Sequence, residues 1–488
     1  MKILYLSSEV QGLLKTGGLA DVSRALPAEL VNKGHDIRIV MPCYRSLLEK
    51  DFPVVLPTLI VPMTPTENEY CTVRVTEISG VTVYLLEHHK YFSRHGVYDD
   101  GVTGYIDNGQ RFAFLSKAGL ELAKAIGFQP DILHTSDWQT GLAAYYLRAH
   151  YGYTDYFAKT ASVHTVHNGS YQGQTSGALW YQLGLTEDLM RPEMLEDYGQ
   201  INLLKAGIRF ADKVNAVSPG YRDELLDIPT SHGLNQMYYS RGEDFVGLLN
   251  GCDYGEWNPE TDPHIAQNYS ADDLAGKAAC KMALQKELGL TVSDQIPMFA
   301  NISRLTSQKG YDQLIPALQR IARDGVQIVL LGSGDPHYAH QLEELAHQHP
   351  ETVRFIYGYS EPLSHKIEAA ADYYLMPSVF EPCGLNQIYS LRYGAVPIVR
   401  RTGGLAGTVV PLNDDESNLQ QATGLHVIST HPDELTQLIE RAIWIWYHSK
   451  ASFLALQQNG MAARFTWDQA ANDYLALYQS ALDARRTT

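Results

Sequence analysis

Paired cysteines are missing from this chain. Its five cysteines (Cys43, Cys71, Cys252, Cys280 and Cys383) are scattered through 488 residues, with no CxxC spacing. That argues against a disulfide framework or a zinc ribbon and fits a reducing compartment. A surplus of positive charge is missing too: 38 Lys and Arg stand against 55 Asp and Glu, a formal net charge of -17. Phosphate backbones and anionic membranes are recognised by clustered Lys and Arg, so neither nucleic acid nor a membrane is an expected partner. Long apolar runs are absent. No stretch approaches the roughly 20 residues that cross a bilayer. The opening Met-Lys-Ile-Leu-Tyr-Leu is too short for a signal peptide and meets Ser7, Ser8 and Glu9 at once. The expectation is a soluble, cytoplasmic protein. Several enzyme signatures are lacking as well: a GxxxxGK[ST] loop, a GxSxG elbow on a strand–turn–helix, and a complete GxGxxG turn. Gly332-Ser333-Gly334-Asp335 begins like the last of these, but no third glycine follows at the right offset.

What the chain does have is length and apolar content. With 488 residues, 45% hydrophobic and 19% charged, it is too long for one compact core and suits two large domains. The first forty residues read as a βαβ unit. An aliphatic run, Lys2 to Leu6, leads into a loop with Lys15-Thr16-Gly17-Gly18. A helical pattern follows (Leu19, Val22, Leu26, Leu30), closed by Gly34, and then a second strand, Asp36 to Met41. Pro27 predicts a kink or a late start in that helix. Further strands are expected at 131–134, 162–167 and 213–217. The alternation restarts after Trp257-Asn258-Pro259 with strands at 297–302, 327–331, 353–357, 372–376 and 396–399, and helices at 311–322 and about 385–393. The fold class is therefore α/β, with two doubly wound domains and mostly parallel sheets. Turn residues around Asn250-Gly251-Cys252-Asp253 put the boundary there, giving domains 1–252 and 253–464 and a last segment, 465–488.

Three places could carry chemistry. Thr16-Gly17-Gly18-Leu19-Ala20 recurs as Thr402-Gly403-Gly404-Leu405-Ala406, with Lys15 before one copy and Arg401 before the other. Each copy follows a strand and enters a helix, the setting in which main-chain N–H groups hold an anion. A plain tight turn is the alternative for either copy alone. In Ser303-Arg304-Leu305-Thr306-Ser307-Gln308-Lys309-Gly310, the Arg304 and Lys309 heads can converge on one diphosphate and stabilise a departing nucleotide without a metal. A solvated surface pair is the other reading. In Pro377 to Gln387, Glu381 lies beyond a strand's carboxyl end, where a carboxylate can grip sugar hydroxyls or offset a developing oxocarbenium charge. The N–H groups of Gly384, Leu385 and Asn386 would meet phosphate. Cys383 reads as packing, since no activating partner is visible. His167 and Asp137, each after an N-terminal strand, stand as candidates beside plainer structural roles.

Together these segments resemble the bacterial glycogen synthase and plant starch synthase family. The matching stretches are Lys15 to Asp21, His167-Asn168 with Tyr171-Gln172-Gly173, Asn250 to Asp253 with Trp257-Asn258-Pro259, Ser303 to Gly310, Glu381 to Gln387, and Arg401 to Ala406. The resemblance covers essentially the whole chain. It implies two Rossmann-like domains facing a deep inter-domain cleft, with a C-terminal helix crossing back to the first. It also implies retaining transfer of glucose from ADP-glucose to the non-reducing end of an α-1,4-glucan, with no cofactor and no metal. By motif match, Lys15, Gly17, Gly18, Asp21 and Asn250 would help bind substrate from the first domain. Arg304 and Lys309 would bind the diphosphate. Glu381 would contact the donor glucose, with Cys383 to Asn386 beside it. His167 would lie near the transferred sugar, Asp137 and Glu9 near the donor–acceptor junction, and Tyr359 against the base. Closure of the cleft would exclude water as a competing acceptor.

Three positions depart from the family pattern. Ser136 stands where a His often precedes Asp-Trp, Gly169-Ser170 replace the common Leu-Ala, and Asn386 replaces the Thr of some members. None removes a charge from the expected site, and the first two touch the acceptor side. The rival readings are a relative using UDP-glucose or another acceptor, and a silent nucleotide-sugar- or glucan-binding protein on the same fold.

Overall fold

A computed structural model describes residues 1–487. The chain divides into two compact units: Met1–Asn250 together with the segment from Trp467 onward, and Gly251–Thr466.

The first unit is built on a nine-stranded sheet. From one edge, its strands are Phe245–Gly247, Lys213–Ala216, Ala161–Val166, Ile132–Ser136, Lys2–Leu6, Asp36–Pro42, Val81–Glu87, Asn68–Ile78 and Val54–Pro62. Pairing is parallel as far as Val81–Glu87, and the last two strands add antiparallel. The central strands are short and buried along their length, and Ile132–Ser136 and Ala161–Val166 mix aliphatic residues with buried His, Ser and Thr. The Val54–Pro62 edge strand has a largely exposed face and a proline within it, so neither alternation nor composition marks it. A small antiparallel sheet of Gln174–Ser176, Gln200–Asn202 and Glu196–Asp197 lies outside the main one. The helix Gly18–Asn32 contains Pro27 in its interior, so the proline does not delay its start. The terminal helix Trp467–Thr487 seals the floor of the sheet. Its Tyr478 hydroxyl lies 2.6 Å from His134 Nδ1, and its Tyr474 hydroxyl accepts from Asn215 Nδ2 at 3.2 Å.

The second unit has a six-stranded, all-parallel sheet ordered Val353–Tyr357, Gln327–Gly332, Met298–Ile302, Tyr373–Met376, Val396–Arg400, Leu425–Val427. Alternate residues of one strand feed different cores. Ile328 and Leu330 pack with Leu314, Leu318, Leu435 and Ile439 from two covering helices, while Val329 and Leu331 pack on the opposite face. Among the described residues no helix is long and apolar enough to cross a membrane. All five cysteines are buried, and none is in a disulfide among the described residues.

Candidate functional site

Strand order reverses once in each parallel sheet, and ligands in such folds collect beyond the carboxyl ends of the strands at that point. In the first unit the reversal falls between Lys2–Leu6 and Ile132–Ser136, with Ala161–Val166 next in line. The residues that leave these three strand ends are Glu9, Asp137 and His167.

Asp137 takes a left-handed conformation, φ 51°, which is uncommon outside glycine and marks a position held by its surroundings. Its Oδ1 accepts the N–H of His167 at 2.6 Å and that of Asn168 at 3.3 Å. The carboxylate thus aims the next strand's exit instead of capping its own helix. Burial drives its pKa up to about 7, against those two bonds, and the Glu9 charge adds to the rise. Burial pushes the His167 imidazole down to about 3, so it is neutral at any working pH. Its Nε2 is buried with no hydrogen-bond partner among the described residues. Trp138 packs edge-on against Phe112, with centroids 4.8 Å apart, and a Cβ on Gly173 would sit 2.4 Å from the indole. Asn250, the last residue of this stretch, is buried and its Oδ1 has no hydrogen-bond partner among the described residues.

The glycine turn behaves differently from the sequence expectation. Glu9 Oε2 accepts the N–H of Thr16 at 2.5 Å and of Gly17 at 3.3 Å, and Oε1 accepts the Thr16 hydroxyl at 2.6 Å and the Tyr98 hydroxyl at 2.5 Å. An internal carboxylate therefore already occupies the place an anion would take at those two N–H groups, and a phosphate there would meet its charge. Glu9 is a clamp on the loop. Lys15 reaches Asp21 at 2.7 Å and stays half exposed. Burial raises the Asp21 pKa, opposed by Lys15. Replacing Glu9 with alanine should strand these donors and lower stability by about 2–4 kcal/mol. Urea unfolding of the variant against the parent reads this directly, and an unchanged midpoint would dismiss the clamp.

In the second unit the reversal falls between Met298–Ile302 and Tyr373–Met376. The loops leaving these strands are Ser303–Gly310 and Pro377–Glu381, and they are tied together. Gly310, at φ 79°, lies so close that a Cβ would come within 2.1 Å of the Pro377 carbonyl oxygen. The Val379 N–H donates to the Gln308 carbonyl at 2.7 Å, and Gln313 Nε2 donates to the Pro377 carbonyl at 2.6 Å. This packing delivers Lys309 Nζ to Glu381 Oε2 at 2.6 Å, and the Ser378 hydroxyl donates to the same oxygen at 3.0 Å. Arg304, on the same loop as Lys309, is exposed and forms no ion pair among the described residues. The sequence reading placed Arg304, Lys309 and Glu381 in one site, and all three stand at this switch point.

The second glycine turn is also spoken for along its main chain. The N–H groups of Arg401, Thr402 and Gly404 donate to the carbonyls of Val427, Arg400 and Glu381. In both copies of Thr-Gly-Gly-Leu-Ala, part of the turn's main chain is thus engaged within the protein. A Cβ on Gly404 would fall 2.0 Å from the Cys383 carbonyl oxygen. Gly404→Ala should thus displace the Glu381–Cys383 turn, destabilising the protein by about 2–4 kcal/mol and lowering activity with it. A thermal melt and a rate measurement on the variant check this together; parental values in both would contradict it.

The remaining candidates of this unit lie on the turn after Glu381 and beyond the edge strand of the sheet. Cys383 is buried and its carbonyl accepts from Gln387 Nε2 at 3.0 Å, in keeping with packing. Gly384, at φ 70°, makes the turn into the helix Asn386–Arg392, with Leu385 at its start. The Asn386 amide is used internally, donating to the Ile302 carbonyl at 2.9 Å and to the Tyr374 hydroxyl at 2.7 Å. Tyr359 is 74% exposed, just beyond the edge strand Val353–Tyr357. Sequence reasoning missed Ser378 on Glu381, and Tyr98 with Ser8 at Glu9. Tyr98 sits in an irregular stretch with no periodic signal. Ser378, three residues before Glu381, could have been suspected from spacing alone.

Comparison with known proteins matches both units. The family profile "Starch synthase catalytic domain" covers residues 2–239, and "Glycosyl transferases group 1" covers residues 290–449. A glycogen synthase of Photobacterium profundum is 43% identical over 486 residues, spanning 98% of this chain and 94% of that protein. Glycogen synthase 1 of Geobacter metallireducens is 44% identical over 489 residues, spanning 99% of this chain and 97% of that protein. Among solved structures, the catalytic domain of starch synthase IV from Arabidopsis thaliana, bound to ADP and acarbose, aligns with a TM-score of 0.89 at 32% identity, covering 99% of each chain.

Proposed function

The chain belongs to the bacterial glycogen synthase and plant starch synthase family of glycosyltransferases, and we propose that it extends an α-1,4-glucan at the non-reducing end with glucose from ADP-glucose, retaining configuration, in cytoplasmic glycogen synthesis. The observation that carries this reading is the Lys309–Glu381 contact, with Arg304 on the same loop and in no ion pair among the described residues, at the switch point of an all-parallel sheet. Two cations on one loop, Arg304 and Lys309, in a chain of net charge -17 suit one compact anion such as a diphosphate.

In this reading Arg304 and Lys309 hold the donor diphosphate and stabilise the charge that develops on it, so no metal is needed. Glu381, oriented by Lys309 and Ser378, contacts the donor glucose. The turn Cys383 to Asn386 lies against the donor, and Tyr359 takes the base. From the first unit, Lys15, Gly18, Asp21 and Asn250 serve substrate binding, while Gly17 keeps the turn in place through its bond to Glu9. His167, neutral throughout, offers its Nε2 to the transferred sugar, and Asp137 holds the main chain that aims it. The C1–O bond to the diphosphate breaks, the acceptor hydroxyl attacks from the same face, and its proton passes to the departing phosphate oxygen. No carboxylate is assigned to the opposite face, so no glucosyl–enzyme intermediate is invoked.

The test is incorporation of labelled glucose into glycogen from ADP-glucose and UDP-glucose side by side. At least tenfold faster incorporation from ADP-glucose is expected. A preference for UDP-glucose would overturn the donor assignment, and ADP binding without turnover on any acceptor would overturn the enzymatic one.

A further inference from the structure

A cluster in the second unit is left unused by the reaction above. One potential ligand atom from each of Glu256, Glu361 and His365 lies within 4.8 Å of the other two. Glu361 and His365 are four apart on the helix Glu361–Ala370, so its periodicity sets them on one face. Glu256 comes from the turn that also carries Trp257. Glu361 is exposed, Glu256 half-buried, and His365 only 1% exposed.

His365 is held as a metal-binding histidine is held. Its Nδ1 lies 2.7 Å from Asp262 Oδ2, which also accepts the Tyr393 hydroxyl at 2.5 Å. Burial opposes ionisation of Asp262, but its bonds from His365, Tyr393 and the His264 N–H keep its pKa below the ordinary range. A carboxylate acceptor at Nδ1 places the ring proton there, which in the neutral ring leaves the lone pair on Nε2. That Nε2 is buried and has no hydrogen-bond partner among the described residues. Trp257 stacks on His365 with centroids 3.9 Å apart, and on Tyr389 at 4.0 Å. On the acidic side, burial and then the adjoining Glu361 push the Glu256 pKa up.

We propose that Glu256, Glu361 and His365 form a divalent-cation site that takes a borderline ion such as Zn²⁺ through His365 Nε2 and one oxygen from each carboxylate, with water in the open position. The mixed nitrogen and oxygen donors, with a carboxylate behind the imidazole, fit zinc better than magnesium or calcium, which take oxygen cages. Bonds of about 2.0–2.2 Å require the ligand atoms to draw closer together, and the exposed Glu361 has the freedom to do so. The ion would lock the Glu256–Trp257 turn to the helix Glu361–Ala370 and, through the Trp257–Tyr389 stack, brace the helix Asn386–Arg392. Its role is structural and independent of the transfer chemistry.

The experiment is calorimetric titration of chelator-stripped, full-length protein with zinc chloride, accompanied by thermal melts. One equivalent is expected to bind and raise Tm. Glu361→Gln should weaken binding roughly tenfold or more, and the double variant Glu256→Gln/Glu361→Gln should lose it. Without zinc, that double variant should melt at or above the parent, because the carboxylates no longer repel; this separates lost binding from lost folding. Absence of stoichiometric binding by the parent, or equal binding by the double variant, would overturn the site.

Discussion

Replacing Lys309 with alanine is expected to lower the rate of glucosyl transfer by about 10²–10³-fold, the usual consequence of removing one fixed charge from a developing anion. Lys309 is poised for that role. Its Nζ lies 2.6 Å from Glu381, and it stands on a loop tied to Pro377–Glu381 by the Val379 N–H bond to the Gln308 carbonyl. The substitution also leaves Glu381 with Ser378 alone. Both side chains of the ion pair retain some exposure, 16% and 10%, so the stability loss should be modest, about 1–2 kcal/mol. The diagnostic is the division between kinetic constants. A group acting on the leaving phosphate lowers kcat more than it raises the KM for donor, whereas one that only binds donor raises KM and spares kcat. Steady-state rates with varied ADP-glucose, alongside circular dichroism to show an intact fold, decide between these. Unchanged kcat would remove Lys309 from the mechanism.

Asp137→Asn should produce a protein that is slower but more stable at neutral pH. Burial holds the Asp137 pKa at about 7 in the fold, against an ordinary value of 3.8. Between those limits the folded protein keeps a proton that the unfolded chain has given up. The stability this group contributes is therefore complete below about pH 4, declines as pH rises toward 7, and is level above. Asparagine carries no such penalty. It keeps an Oδ1 to accept the His167 and Asn168 N–H groups, and it tolerates the left-handed φ of 51°. The variant's advantage should grow across the same window to at most about 4 kcal/mol. Transfer should fall about tenfold or more if the charge of Asp137 supports the site, and the rise of kcat through pH 7 expected of the parent should flatten. Denaturant unfolding at pH 4 and at pH 8, with pH–rate profiles of both proteins, tests the two halves separately. A stability difference that does not change with pH would show that the carboxyl is ionised throughout.

The α/β class and most central strands could be read from residues alone, because short stretches with aliphatic residues, closed by turn residues, alternate with helical patterns. The expected strand at 297–302 is observed as Met298–Ile302, and that at 327–331 as Gln327–Gly332. Strands with a wet face escaped: Val54–Pro62 and Asn68–Ile78 mix buried and exposed positions too irregularly to declare themselves. The loop Ser303–Gly310 and Glu381 were legible as charges at strand ends, and the family resemblance added roles that spacing could not.

The partners of each group were beyond reach of the sequence. Two copies of Thr-Gly-Gly-Leu-Ala look alike in sequence, yet Glu9 grips one through its carboxylate, and the other bonds through main-chain carbonyls, Glu381 among them. Hydrogen-bond donors are written into every peptide unit, but which acceptor meets them depends on loops brought together from distant strands. The same holds for Asp137, whose shifted ionisation comes from burial and from a neighbouring strand. Composition and periodicity settle which faces must be buried, because hydrophobic burial is additive and local. Charge states and clamps depend on three-dimensional proximity, so only the folded chain decides them.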